Sequence, residues 1–163
     1  MPTLYAHVER LRTSRDTLVR LRSRVEVSSP APDALPRNRD WVACEAIAHI
    51  DELLNYWLGE IERVLAGPIE PVPFGRDDKD LIRILTVDRD RTLPVSELYA
   101  RLDASLERVL RRLLELDDRQ VARRGLHKQR GEMTVAQIVD VCLSSHLEVH
   151  CAQVAAALDA GRA

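Results

Sequence analysis

The sequence predicts an all-α protein: a four-helix bundle with long connections between helices 1–2 and 2–3. Four long stretches repeat aliphatic residues every three to four positions, the period of a helix with one buried face. Proline and glycine gather between those stretches rather than inside them. No apolar–polar alternation runs long enough to declare a strand. At 163 residues the chain reads as one domain over 1–163, large enough to bury a core. Only 4% of residues are aromatic, so that core must be built from Leu, Val, Ile and Ala.

The first helix is expected from about Thr3 to Val27, with Leu4, Val8, Leu11, Leu18, Leu21 and Val25 on its buried stripe. Arg10, Arg12, Arg15, Arg20, Arg22 and Arg24 make it basic, and Glu9, Asp16 and Glu26 relieve it. A solvated face is the simplest reading. A phosphate-binding face is the other, though no aromatic residues interleave with the arginines. Net charge is −2, which argues against a dedicated nucleic-acid binder. Ser28 to Arg39, with its three prolines, must be a loop.

The second helix begins near Asp40 or Trp41, with Asp40 as N-cap, and stops at Gly67-Pro68. Its stripe is Trp41, Ile47, Ile50, Leu54, Trp57 or Leu58, Ile61 and Leu65. From Gly67 to Pro94 the chain is irregular and too long for a plain loop. A lid or strut is expected there, with a short helix over Asp77 to Val87. The third helix runs from about Pro94 to Leu116 on Leu98, Leu102, Leu106, Val109, Leu113 and Leu116. Asp117 to Glu132 is a connection. The fourth helix opens at Thr134, where Thr134 and Gln137 form a capping box. Val135, Ile138, Val139, Cys142, Leu143, Val149, Val154 and Leu158 are its apolar set.

No secretory leader and no apolar run near ~20 residues is present, so no membrane span is expected. Cys44, Cys142 and Cys151 are odd in number and set in helical patterns, which fits reduced thiols in a cytoplasm.

His146 and His150 lie one turn apart on the apolar side of the fourth helix. Two such imidazoles are either hydrogen-bonded core residues or the ligands of a shared cation, which would satisfy both inward nitrogens. His49 sits at the margin of the second helix's stripe, one turn after Glu45. His146-Leu-Glu-Val-His150 is not the HExxH of zinc proteases, because its glutamate is misplaced. The paired Glu-x-x-His of di-iron bundles is missing too. Glu45 reads equally as an acceptor for an imidazole N–H or as a first-turn carboxylate favoured by the helix dipole. Cys142 reads as an ordinary buried cysteine, with a fourth ligand or reactive thiol as the sharper alternative. His127, in the loop before the fourth helix, reads by default as a surface histidine, with an approach to the site mouth as the alternative, and His7 has no recognisable partner. Tyr56 and Trp57 read as packing residues, with Tyr56, about two turns past His49, as an alternative pocket-lining residue.

Three stretches resemble the DinB-like (DinB/YfiT-like) superfamily of metal-binding helical bundles. They are Trp41-Val-Ala-Cys-Glu45-Ala-Ile-Ala-His49, Gly131-Glu-Met-Thr134-Val-Ala-Gln-Ile and His146-Leu-Glu-Val-His150-Cys-Ala-Gln153. The order of helices and the loop lengths fit as well. Val42 stands where that family often has a serine cap, and Leu147 where it often has an acidic residue. The resemblance implies that His49, His146 and His150 hold one divalent ion, zinc first, with nickel or iron also suited to imidazole. It further implies an enzyme that transfers a small-molecule thiol, such as mycothiol or bacillithiol, to an electrophile. Metal-assisted hydrolysis, and a non-catalytic protein with a structural metal, are the alternatives. Exposed stripe ends on the helices make a homodimer an expectation.

Overall fold

The computed structural model describes residues 2–28, 41–77 and 80–161. It is mostly helical. The long helices are α1 (Pro2–Ser28), α2 (Ala43–Ala66) and α4 (Val95–Glu115). After a short helix α5 (Asp118–Val121), a fourth helical rod joins α6 (Val135–Ile138), a π turn (Val139–Ser144) and α7 (Ser145–Asp159). α1 packs against α4 and α7, and α2 packs against the same two, so the four close around a shared interior. The aliphatic stripes meet there in one core. Val8, Leu11, Ile47, Ile50, Leu54, Ile61, Val135, Ile138 and Leu147 are fully buried in it.

Each helix boundary has a local cause. Asp40 and most of the proline-rich 28–39 stretch lie outside the described residues. Val42 is the N-cap position of α2, and its N–H donates to Glu45 Oε2 at 3.0 Å. One half of a capping box therefore does the work that the hydroxyl of a serine would share. Thr134 caps α6 as expected: Gln137 N–H donates to Thr134 Oγ1 at 3.2 Å and Thr134 N–H to Gln137 Oε1 at 2.8 Å. The short helix α3 spans Leu81–Asp90, later than the expected 77–87. Asp80 sets its start, accepting from Arg83 N–H at 3.0 Å.

Two features depart from the sequence expectation. The first is a small sheet of β1 (Val72–Phe74), β2 (Arg124–His127) and β3 (Gly131–Thr134), in the order β1-β2-β3. β1 runs parallel to β2, pairing Phe74 with His127, and β2 and β3 form an antiparallel hairpin that pairs His127 with Gly131. Strands of three and four residues are too short to show alternation, and β1's partner is some fifty residues away. The sheet ties together the two connections, 67–93 and 117–132, that the sequence leaves irregular.

The second is the π turn. A straight α-helix was the expectation from Thr134 onward, but Val139–Ser144 is wound more widely. A π turn accommodates about one extra residue and advances everything after it by roughly 100° in azimuth. Accordingly Leu147 is fully buried while Val149, expected on the apolar face, is exposed.

Candidate metal centre

The three histidines come from two rods. His49 sits in the second turn of α2, and His146 and His150 in the first half of α7, just past the π turn. The π turn's phase is locked from outside. Arg10 of α1 donates to Asp140 Oδ1 at 2.6 Å, to Ser145 Oγ at 2.9 Å, and to the two Glu148 oxygens at 2.7 and 2.8 Å. One guanidinium thus ties a residue within the turn to one just past it and one a turn further on. His7 joins it, its Nδ1 lying 3.3 Å from Arg10 Nη1 and 3.7 Å from Asp140.

Inside, His49, His146 and His150 each offer a ring nitrogen, and the three nitrogens lie within 4.8 Å of one another. Two metal–imidazole bonds of ~2.0–2.1 Å span up to ~4.2 Å, so small side-chain rotations close this set on one ion. The rings are in mutual contact: centroids are 4.6 Å apart for His49–His150, 4.7 Å for His146–His150 and 6.0 Å for His49–His146.

The protonation pattern suits a cation. His150 Nδ1 lies 2.8 Å from Gln153 Oε1, an acceptor that fixes the proton on Nδ1. His150 Nε2 is then the lone-pair nitrogen, and it is buried with no hydrogen-bond partner. His49 Nδ1 is likewise buried without a hydrogen bond, yet it lies 3.4 Å from Glu52 Oε2. That carboxylate draws the His49 proton to Nδ1 and leaves Nε2 as the donor to a metal. Burial pushes His146 down to about 4, with the neighbouring His150 and His49 adding to the shift. Burial also pushes His150 down to about 4, again with His49 adding. Both imidazoles are therefore neutral at pH 7, as ligation requires. The orphaned lone pair of His150 Nε2, gathered with ring nitrogens of His49 and His146, fits a divalent ion.

Glu52 was not visible as a site residue from the sequence. Its carboxylate is buried and holds Arg76, with Nη2 at 2.8 Å from Oε2 and Nη1 on Oε1. Burial alone would raise its pKa, but His49 and Arg76 outweigh burial and keep it lowered. Its position three residues after His49 was the available signal. Glu45, the residue singled out in advance, instead serves the α2 N-terminus and lies 4.0 Å from Arg91 Nε.

Trp41 closes one side of the trio. Its indole meets His49 edge-on at 4.9 Å and lies roughly parallel to His150 at 6.2 Å. On another side a cleft of about 90 Å³ reaches His49 and His146, walled by Trp57, Arg76, Arg83, His127, Arg130 and Cys142. His127 is buried there rather than at the surface. Its ring stacks on Trp57 at 6.0 Å, and its Nδ1 accepts from Gln129 and Arg130 N–H at 3.1 and 3.3 Å. Gly75, at φ +87°, passes so close to that ring that a Cβ there would overlap it. Cys142 is buried and its thiol is pushed up to about 11 by desolvation, so it is a neutral thiol beside the trio. The metal-competent cluster among the described residues consists of the three histidines without it.

The family profile of the DinB superfamily matches residues 10–154. The chain belongs to the DinB superfamily. No curated protein and no solved structure matches it. The matched range contains all three histidines, Trp41 and Gln153, so the centre lies inside the family region.

The basic face of α1 is balanced within the protein. Arg12 pairs with Glu9 at 2.6 Å, Arg15 with Asp103 at 2.5 Å, Arg22 with Glu26 at 2.8 Å and Arg24 with Asp159 at 2.7 Å. Among the described residues no helix is long and apolar enough to cross a membrane.

Proposed function

We propose that this DinB-superfamily chain is a four-helix-bundle enzyme. It holds one divalent ion, zinc first, on His49, His146 and His150, and transfers a low-molecular-weight thiol to a small electrophile. The observation that carries the reading is the cleft: it reaches the trio on the side of His49 and His146, where no fourth protein ligand stands among the described residues. Structural zinc sites are closed by four protein ligands, whereas catalytic sites keep a position open.

A divalent ion on three neutral imidazoles keeps its full charge and supplies Lewis acidity, which favours the thiolate form of a thiol at neutral pH. The protein's own groups do the rest. Gln153 and Glu52 fix the proton on the outer nitrogens of His150 and His49, so the ring orientations are set before anything binds. Trp41 covers the far side of the trio and excludes water there. Arg76 is held in place by Glu52 and lies over the Tyr56 ring at 3.8 Å from guanidinium to centroid. With Arg83 and Arg130 it gives the cleft a basic wall suited to the carboxylates of a thiol substrate.

The test is elemental analysis of tag-free protein beside His49→Ala, His146→Ala and His150→Ala, followed by thiol-consumption assays with mycothiol and bacillithiol and a panel of electrophiles. The expected result is near-stoichiometric metal in the parent, lost in each variant, together with metal-dependent thiol transfer. A folded parent that cannot be loaded with zinc, nickel or iron refutes the reading. Full loading without turnover points to the non-catalytic alternative.

A further inference from the structure

The turn between β2 and β3 is fixed from within. Gln129 and Arg130 N–H both donate to His127 Nδ1, at 3.1 and 3.3 Å, and Gly131 closes the turn at φ +77°. The same turn brings Gln129 and Arg130 to the wall of the cleft over His49 and His146. Arg130 is exposed, so a ligand entering the cleft can touch it. Its charge is also felt inside. After burial and the neighbouring histidines, it adds to the lowering of His146, and it partly offsets the burial that raises Cys142.

The cleft's other two arginines are already engaged. Glu52 holds Arg76 through both of its oxygens, and Arg83 has a partner of its own. Arg130 makes no ion pair and no side-chain hydrogen bond among the described residues. Arg111 of α4 and Arg119 of α5 are unpaired too, but neither lines the cleft. Charge in the cleft is not balanced. Three guanidiniums face one carboxylate, Asp77, and counting Glu52 behind Arg76 still leaves one positive charge in excess before any ion binds. That excess favours an anion, and a guanidinium's forked donors suit a carboxylate.

We propose that Arg130 is the specificity-determining residue of this cleft: it takes the carboxylate of a short-chain acid whose other end points at the histidine trio. The size of the cleft sets the class of ligand. About 90 Å³ is the room of roughly three water molecules, enough for a carboxylate and two or three carbons. Trp57 and Cys142 give those carbons an apolar wall. The carboxylate therefore sits within a few bonds of the atom that meets the metal, whether it belongs to the thiol or to the electrophile. The ligand's reactive end rests on the thiol-transfer reading; the hold of Arg130 on a carboxylate in the cleft does not.

The experiment is a nitrogen-15 NMR titration of the full chain, metal-free and zinc-loaded, with propionate, its neutral counterpart propionamide, and 3-mercaptopropionate. It is run on the parent, Arg130→Met, Arg130→Lys and Arg111→Met, the last removing the same charge outside the cleft. In the metal-free parent propionate is expected to move the Trp57 indole and Gln129 amide signals along a saturable curve, and propionamide is not. Arg130→Met should weaken propionate about three- to tenfold, between an exposed ion pair and an enclosed charge-assisted bond. Arg130→Lys should fall between, and Arg111→Met should match the parent. Unchanged signals elsewhere show that the variants are folded. With zinc, tighter binding of 3-mercaptopropionate than of propionate assigns the carboxylate to the thiol, and equal binding assigns it to the electrophile; both keep Arg130 as the anchor. If no zinc loads, the thiol-transfer reading fails and the metal-free titration still decides this one. Equal propionate affinity in the parent and Arg130→Met, propionamide binding as well as propionate, or no saturable shift at Trp57 or Gln129 overturns the proposal.

Discussion

Replacing Gln153 by leucine tests whether the outer hydrogen bond of His150 sets the metal centre. Leucine is close in size, so α7 keeps its packing, but the acceptor 2.8 Å from Nδ1 is gone. In the parent that oxygen commits the imidazole to the Nδ1–H form and leaves Nε2 free at the trio. In the variant the proton can move to Nε2, and the ring must be re-tautomerised and re-oriented each time an ion binds. A neutral hydrogen bond is worth about 1 ± 0.5 kcal/mol, or roughly two- to tenfold. Outer partners of metal-bound histidines usually count for about 10- to 100-fold. The bond is partly buried, so about tenfold weaker zinc binding is the expected value. Gln153→Glu keeps an acceptor and adds charge, and should bind zinc at least as tightly as the parent. The assay is competition with a chromophoric chelator at pH 7.5, beside thermal melts of the metal-free proteins. The melts should differ by no more than about 3 °C, because one such bond is a small share of the stability of a domain this size. A zinc affinity for Gln153→Leu within twofold of the parent, with Gln153→Glu also unchanged, would refute the assignment of Nε2 as the ligand atom.

Other perturbations follow from the same geometry. The metal-free protein should lose stability as pH falls from about 6.5 toward 4: the unfolded imidazoles of His146 and His150 protonate near 6.5, while burial holds the folded ones neutral to about 4. Discounted for solvent screening, the loss is on the order of 1–2 kcal/mol, and His146→Ala should flatten the pH dependence of chemical denaturation. Gly75→Ala should lower the melting temperature by about 3–8 °C, because alanine at φ +87° is strained and its Cβ overlaps the His127 ring. Arg10→Ala leaves Asp140 of the π turn and Glu148 of α7 as neighbouring uncompensated carboxylates and should cost about 1 kcal/mol, a gap that narrows in 0.5 M salt because both are about half exposed.

The parts of this protein written in long-period patterns are legible in its sequence. Four amphipathic stretches with proline-marked breaks suffice to place α1, α2, α4 and the last rod. The family's three short motifs point to His49, His146 and His150, which the fold brings together. What stays hidden depends on partners far apart in the chain. Val72–Phe74 becomes a strand only because Arg124–His127 is there to pair with it, and no local propensity marks a Pro-containing tripeptide as sheet. His127 reads as a loop histidine until that sheet and Trp57 enclose it. Glu52 looks like any helix-surface carboxylate until Arg76, from the segment after α2, arrives to bury it. Glu45 attracts attention by its spacing from His49, but the exposed N–H groups at the start of α2 claim its carboxylate.

The π turn makes the position of the histidine pair a matter of residue count. Deleting any one residue from Val139–Ser144 would allow an ordinary α-helix and turn every later side chain back by roughly 100°. His146 and His150 would leave the trio together, and Leu147 would leave the core with them. No single side-chain substitution produces that combined displacement. Metal competence and the packing of the last helix are thus inherited as one unit, separable by a length change but not by gradual replacement. Among related chains, one that keeps both histidines but is one residue shorter between Thr134 and His146 should pack its last helix on a different face and hold no metal at this place.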